Sequence, residues 1–282
     1  MVAGLAIFIA GVSFYPHVKG YALGQIQTFL TMFFVIACYC WLRGKEAAAG
    51  VLLGLMALVK PQYAVVLIWF ALRKRFQALG ASLIVMVGGF AAGLALFGWR
   101  EQMKYLDVIE YAGRRGHGYY PNLSFNGLAN RLFFNDPSLE FDPLKYAPYH
   151  PGVYAITLLT SVILIGLALW YPFAPKLRGG LADFCAIALA STAASPIAWE
   201  HHYGVLFPAF ILLAVTAVTR REWMLLAIAY VLVANSWSPF NAVANIPILN
   251  LLQSVSLAGV LMVFALLLNK RGEPVWWSQN CC

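Results

Sequence analysis

The stretch RGKEAAAGVLLGLMALVKPQYAVVLIWFALRKR, residues 43–75, decides how this chain is threaded through its fold. Basic clusters flank the segment 47–72, which is largely apolar apart from its centre at Lys60-Pro61. A membrane-spanning helix needs about 20 apolar residues, so the segment is long enough to cross a bilayer once. Proline disfavours helix at the residue before it, so a hairpin of two short helices is the alternative. The choice sets the side of the membrane on which every later loop lies.

The composition is that of a polytopic membrane protein. Of 282 residues, 62% are hydrophobic and 11% are charged, whereas soluble domains carry roughly 25% charged residues. The mean hydropathy is +0.75. The formal net charge of +8 lies mostly in short loops between apolar runs, where lysine and arginine set topology. We therefore expect an all-α bundle of transmembrane helices, located in the cell membrane as a multi-pass protein, and no nucleic-acid partner.

Apolar runs outside residues 43–75 predict eight membrane helices. They cover 2–15, 24–42, 76–98, 151–171, 181–194, 203–219, 223–235 and 248–268. The first run lacks a basic leader and a small-residue cleavage site, so it does not have the features of a signal peptide. We expect a single transmembrane domain over residues 1–282, as part of a larger protein, with an extracytoplasmic segment at 99–150.

Loop charges favour the hairpin. The positive-inside rule places the basic clusters in the cytoplasm; these are Arg43/Lys45, Arg73/Lys74/Arg75, Lys176/Arg178, Arg220/Arg221 and Lys270/Arg271. If 47–72 crossed once, the downstream clusters would lie outside. Two arms, 47–59 and 62–72, are each too short to cross at 1.5 Å per residue. The hairpin keeps the basic clusters inside and puts 99–150, 195–202 and 236–247 outside.

The outer loop SPIAWEHHYGVLFP, residues 195–208, contains three consecutive titratable residues, Glu200, His201 and His202. Adjacent side chains on a helix diverge by about 100°, and a zinc site favours the i, i+4 spacing of HExxH. The pattern thus disfavours a metal site, and no metal or cofactor is expected. A proton relay and a plain interfacial loop remain as alternatives to a ligand site.

A second outer stretch, YYPNLSFNGLANRLF at residues 119–133, alternates aromatic residues with Asn122, Ser124, Asn126 and Arg131. Aromatic rings beside amides and hydroxyls suit the faces and hydroxyls of sugars. The alternative is an amphipathic helix lying on the membrane.

Two further polar groups stand at the ends of apolar runs. Gln25 lies at the outer end of one predicted span, in the stretch YPHVKGYALGQIQTF at residues 15–29. The alternative to a binding role is that its amide forms hydrogen bonds between helices. Lys60 at a hairpin tip is costly unless it meets an anion or water, although a lysine in a kinked span could snorkel. Together these groups suit a phosphate-bearing lipid with a polar cargo. An ion transporter fits less well, because no acidic residue sits in mid-span.

Three ordered motifs resemble glycosyltransferase family 87, the polyprenol-phosphate-mannose-dependent mannosyltransferases. The stretch GQIQTFLTMFFVIACYCWLRGKEAAAGVLLGLMALVKPQ resembles the family's GQ-x-N run followed by an aliphatic-KP run. NLSFNGLANRLF is similar to its loop motif, and SPIAWEHHY to its SP-x-x-W-x-HH segment. Gln27 stands where asparagine is usual, and the acidic residue that serves as base in the family would precede residue 1. Two interpretations remain open: the chain is a fragment of an active enzyme, or it is an inactive relative.

The resemblance implies a GT-C fold and a hexosyltransferase that moves a sugar, mannose in the family, from a polyprenyl-phosphate donor to a lipid or glycan acceptor. Residue by residue it implies His201 and His202 as catalytic, and as substrate-binding Gln25, Lys60, Asn122, Ser124 and Arg131. Glu200, which precedes the histidines and is not part of the family motif, is expected to bind substrate as well. The partners expected are the donor, the acceptor and membrane lipids. A transporter or flippase of a lipid-linked or anionic small molecule is the alternative function, and a non-catalytic assembly subunit is a third.

Overall fold

The structure, a computed structural model, describes residues 2–170 and 179–271. Within these ranges the regular elements are helices, and three of them are long and apolar enough to cross a membrane: Phe76–Arg115, Pro151–Leu169 and Leu249–Lys270. The predicted all-α membrane helix bundle is confirmed. The basic pair Lys176/Arg178 lies outside the described residues.

Each of the eight predicted spans contains a helix, but among the described residues only the three helices named above are long and apolar enough to cross a membrane. The helices are α1 Val2–Ser13, α2 Tyr15–Ala22, α3 Gln27–Leu42, α4 Glu46–Val59, α5 Val65–Leu72, α6 Phe76–Arg115, α7 Phe125–Leu132, α8 Pro151–Leu169, α9 Leu181–Ala193, α10 Leu206–Thr216, α11 Arg220–Val233 and α12 Val255–Lys270. Short 3₁₀ helices occupy Pro61–Ala64, Glu200–Val205, Ser238–Val243 and Leu249–Ser254. The sequence had not predicted α2, whose apolar character is weak.

The segment 47–72 is a hairpin, as predicted. Lys60 leaves the helical conformation at φ −132° and ψ 98°, between α4 and the 3₁₀ turn that leads into α5. Arg75 Nη1 lies 2.8 Å from Glu46 Oε1, so both ends of the hairpin meet. The arms therefore do not span, and the non-helical backbone at the tip is held inside the protein, where such backbone is tolerated.

Helix α6 extends further than predicted. The sequence placed its end at residue 98 and a loop at 99–150, but the helix continues to Arg115 across a break at Gly98. Gly98 has φ 79°, a conformation that favours glycine. Beyond the break, Glu101 pairs with Lys104 and Glu110 with Arg114, both at 2.6 Å. Such i, i+3 and i, i+4 pairs support an exposed helix. The prediction took these charged residues for a loop because composition alone does not show that they pair.

One end of the bundle, here called the basic end, is joined by ion pairs. Asp183 of α9 is fully buried and binds Arg73 at 2.7 Å, with Arg271 at 3.7 Å. Both arginines also donate to carbonyls at the end of α8, including Trp170 O. Helices α5, α8, α9 and α12 therefore meet at this end. The opposite end carries His201 and is called the histidine end.

Candidate functional site

The histidine pair is held in place by the outer loop. Residues 122 and 199 form an antiparallel bridge, with Leu123 N donating to Ala198 O at 2.8 Å and Glu200 N to Pro121 O at 3.0 Å. Because these bonds pair extended backbone on both sides, the chain reaches the 3₁₀ helix Glu200–Val205 in a defined register.

Asn122 and Ser124 extend this pairing with their side chains. Asn122 Nδ2 donates to His117 O and Pro196 O at 2.7 and 3.1 Å, and its Oδ1 accepts from Ala198 N at 2.9 Å. Ser124 Oγ donates to Pro196 O at 2.9 Å while it caps α7 by accepting from Gly127 N. Both side chains are fully buried. These contacts support a role in positioning the segment 196–200, and the predicted substrate contacts of both residues stay a prediction.

Arg131 of α7 is a buried hub. Its guanidinium donates to the carbonyls of Gly118, Tyr119 and Asn122 at 3.0–3.2 Å and to Ser254 Oγ at 2.6 Å. These four contacts support a structural role for Arg131, while its buried Nε has no hydrogen-bond partner among the described residues. The substrate-binding role of Arg131 stays a prediction. The alternative interpretation of this stretch was an amphipathic helix lying on the membrane. Helix α7 does form, but residues from both of its faces are buried in the protein.

Lys60 and His202 meet at the centre of the site, although 142 residues separate them in sequence. Lys60 Nζ lies 2.5 Å from His202 Nε2, and Gln27 Nε2 approaches His202 O at 3.5 Å. Lys60 and the histidine pair, which the sequence analysis connected with one phosphate-bearing lipid, thus lie together. Burial, followed by the charge of Lys60, lowers the pKa of His202 well below its usual value. Its neutral ring can therefore accept a hydrogen bond from the ammonium.

Lys60 lies in the break between α4 and the 3₁₀ turn, outside the spanning helices. Burial lowers the pKa of this ammonium to about 7. An anion placed beside Lys60 would favour the charged form again. The protonation of Lys60, and hence its charge, therefore depends on what occupies the site.

His201 packs edge-on against His202, with ring centroids 4.7 Å apart. Burial, and then the charges of Lys60 and Lys19, lower the pKa of His201 to about 4, so this ring is neutral near pH 7. Its Nε2 is buried and has no hydrogen-bond partner among the described residues. A buried polar atom without a partner costs free energy unless a ligand or water satisfies it.

Two cavities share His201 as a wall. The first, called the apolar groove, has a volume of about 660 Å³ and lies between α1, α2 and α3; its lining includes Gly11, Val12, Thr28, Thr31, Met32 and Val35. The second, called the outer pocket, has about 250 Å³ and is lined by Lys19, Leu23, Gln25, Tyr119, Pro121, Phe141, Trp199, Glu200 and His201. A molecule with an apolar tail and a polar head could therefore place the junction between the two at His201.

Glu200 and Gln25 both line the outer pocket, as their prediction as binding residues requires. Glu200 is buried, its Oε2 accepts from Tyr15 OH at 3.1 Å, and burial raises the pKa of this carboxyl. Gln25 is exposed and follows Gly24, whose φ of +60° turns the chain at the mouth of the pocket. The bond from Tyr15 to Glu200 was not predicted, because α2 carries no strong sequence signal.

Comparison with known proteins places these features in context. The family model described as Glycosyltransferase family 87 matches residues 1–196. Two curated relatives are both named polyprenol-phosphate-mannose-dependent alpha-(1-2)-phosphatidylinositol mannoside mannosyltransferase. The one from Mycolicibacterium smegmatis is 27% identical over 253 residues, which cover 86% of this chain and 52% of the relative. The one from Mycobacterium tuberculosis is 24% identical over 232 residues, covering 80% and 50%.

The chain thus spans about half the length of the curated relatives it matches. No solved structure matches the chain significantly.

Proposed function

This chain belongs to glycosyltransferase family 87, and from that premise we propose that it transfers a mannosyl group from a polyprenyl-phosphate carrier to a lipid-linked or glycan acceptor at the outer face of the cell membrane. The relatives' names specify a polyprenol-phosphate-mannose donor and a phosphatidylinositol mannoside acceptor. The observation that carries the proposal is the position of His201, which lines both the apolar groove and the outer pocket and packs against His202, the partner of Lys60.

The apolar groove suits the polyprenyl tail. Its lining is mostly apolar and includes His201. Binding sites for amphiphiles are mostly apolar, with a few polar groups that fix orientation. A tail in this groove would bring the phosphate to His201 and Lys60.

Transfer builds negative charge on the leaving phosphate. A fixed cation and a hydrogen-bond donor aimed at this charge stabilise the transition state more than the ground state. Lys60 would supply the cation, and the neutral His201 ring, whose Nε2 has no protein partner, would supply the donor. His202 would act indirectly, by holding the Lys60 ammonium in position beside the phosphate.

The acceptor hydroxyl must give its proton to a base during transfer. The acidic residue that the family resemblance implies for this task has no matching position in residues 1–282. The residues described here therefore account for donor binding and leaving-group stabilisation.

The test replaces each histidine by alanine in the intact protein and measures mannosyl transfer in membranes from radiolabelled polyprenyl-phosphate mannose. His201→Ala should lower the rate about 100- to 1000-fold, as loss of one donor to a developing charge typically does. His202→Ala should lower it as well, and His202→Gln, which can still accept from Lys60, should restore part of the rate.

His150→Ala is the matched control. His150 caps α8 by accepting from Gly152 N and Val153 N, so its loss should cost about 1 kcal/mol of stability with little effect on rate. Unchanged transfer in both His201→Ala and His202→Ala would remove the pair from the mechanism. A wild-type protein that moves the labelled lipid across the membrane without transfer would instead support the flippase alternative.

A further inference from the structure

The outer pocket has an aromatic wall that donor binding does not use. Tyr119 and Phe141 lie with ring centroids 5.3 Å apart, and Phe141 meets Trp199 at 5.6 Å and 88°. Phe141 is 51% exposed and Trp199 is half-buried, so the cluster is open toward the pocket. An aromatic cluster that served packing alone would be closed on all sides.

The opposite wall is polar. The carboxylate of Glu200 is held by Tyr15 OH through Oε2, while its Oε1 has no hydrogen-bond partner within the described ranges. Lys19 and Gln25 complete this side of the pocket. A carboxylate oxygen left free beside a cavity can accept from a ligand hydroxyl, and hydrogen bonds to charged groups are stronger than those between neutral groups.

We propose that the outer pocket is the subsite for a sugar ring of the acceptor, with the C–H face of the ring on Trp199 and Tyr119 and a hydroxyl donating to Glu200 Oε1. This inference rests on the proposed function. Sugar C–H groups carry partial positive charge and meet the negative face of an aromatic ring, while the hydroxyls need strong acceptors.

Charge separates this pocket from the donor phosphate. A phosphate beside Glu200 would meet a like charge, although Lys19 also lines this pocket, whereas Lys60 does not line it and contacts His202 instead. A neutral polyol suits a pocket that combines one carboxylate with aromatic rings. Its volume of about 250 Å³, against about 660 Å³ for the apolar groove, also suits a compact head rather than a lipid tail.

The arrangement would bring acceptor and donor together. His201 lines both cavities, so a sugar in the outer pocket would lie next to a phosphate held at His201. An aromatic belt at the membrane surface is the other common use of exposed tryptophan and tyrosine. Belt residues face lipid and interfacial water, whereas Trp199 and Tyr119 line a pocket that also contains Glu200 and Lys19.

Steady-state kinetics of the intact protein in membranes test the subsite, with a phosphatidylinositol mannoside as acceptor and polyprenyl-phosphate mannose as donor. Glu200→Gln keeps the size of the side chain and its ability to accept from Tyr15. It should raise KM for the acceptor about 10- to 100-fold, because a hydrogen bond to a charged group is lost. Phe141→Ala should raise it about 3- to 10-fold. The donor KM should stay within about twofold.

Leu144→Ala is the control, since Leu144 is 89% exposed in the same loop and does not line the outer pocket. Methyl mannoside should compete with the acceptor and not with the donor. An unchanged acceptor KM in both variants, with transfer intact, would overturn the subsite and leave the proposed function standing. A raised donor KM alone would also overturn it, because this result would show that the pocket binds the donor sugar. Absence of transfer by the wild type would remove both proposals.

Discussion

Lys60 shows how far a single residue can be understood from sequence. A lysine at the tip of an apolar hairpin is unfavourable without a partner, and this alone marked it as a candidate. Its partner, His202, lies 142 residues away, and nothing in the local sequence names it. Arg131 shows the opposite case. An arginine among amides gives the same pattern whether its donors meet a phosphate or backbone carbonyls, and only the fold shows that carbonyls take them.

The pKa of Lys60 predicts how donor use depends on pH. Lys60 is charged below its pKa of about 7 and neutral above it, while the lowered pKa values of His201 and His202 keep both rings neutral through this range. Since kcat/KM reports ionisation of the free enzyme, kcat/KM for the donor should fall as pH rises through about 7. The measurement is initial-rate kinetics in membranes between pH 6 and pH 9, a range chosen to bracket the usual histidine and lysine values.

Two variants separate Lys60 from other titrating groups. Lys60→Arg stays charged at all these pH values, so its profile should lose the fall above pH 7. Lys60→Met should lower kcat/KM about 100-fold or more at every pH. A wild-type profile that rises steadily to pH 9 would show that the charge on Lys60 does not assist donor use.

At the scale of elements, close packing of α4 against α6 positions the hairpin that carries Lys60. A Cβ at Gly54 would lie 2.9 Å from Ser82 O and from Val85 Cβ, and Gly50 is packed closer still against Ala78. Small residues allow such approach between membrane helices. The sequence shows these glycines inside an apolar helix, but it does not show that α6 packs against them.

Gly54→Val should therefore destabilise the bundle by about 1–3 kcal/mol, the usual cost of an overpacked interface. It should also lower transfer, because α4 ends at Lys60. The measurement is the melting temperature of the purified protein in detergent, paired with the transfer assay. Gly88→Ala on α6 is the control: nothing lies within 4 Å of the added Cβ, and helix propensity favours alanine by up to about 1 kcal/mol. Equal melting temperatures for Gly54→Val and wild type would contradict the packing.

At the scale of the whole molecule, basic residues of the short loops gather at one end and the candidate site lies at the other. Arg73, Arg75 and Lys270 form their ion pairs at the basic end, while Lys60 meets His202 at the histidine end. The positive-inside rule predicts that the basic end is cytoplasmic. The site would then face outward, where the proposed transfer requires it.

Single cysteines in a background without the native cysteines test this orientation. Leu144→Cys at the histidine end should react with a membrane-impermeant maleimide in intact cells. Lys45→Cys and Gln77→Cys, both exposed and flanking the hairpin, should react only after permeabilisation. Labelling of 45 and 77 from opposite sides would contradict the hairpin, and labelling of both from outside would invert the proposed orientation.

The sequence by itself determined the membrane class, the approximate limits of most spans and the hairpin at Lys60. These properties are linear: apolar length, the position of a proline and the distribution of charge along the chain are all read in order. The helical stretch after Gly98 was missed for the same reason, because its charges are typical of a loop until their i, i+3 and i, i+4 pairing is seen.

The tertiary structure alone decided which residues meet. It placed Lys60 on His202, turned His201 rather than His202 toward the two cavities, bound Nη1 and Nη2 of Arg131 to carbonyls and to Ser254 Oγ, and set Tyr119 in the same pocket as Trp199 and Glu200. Several of these contacts join segments far apart in the chain, such as the 142 residues between Lys60 and His202. Their energies depend on burial and on partners that form only when the helices pack, so no local pattern could have specified them.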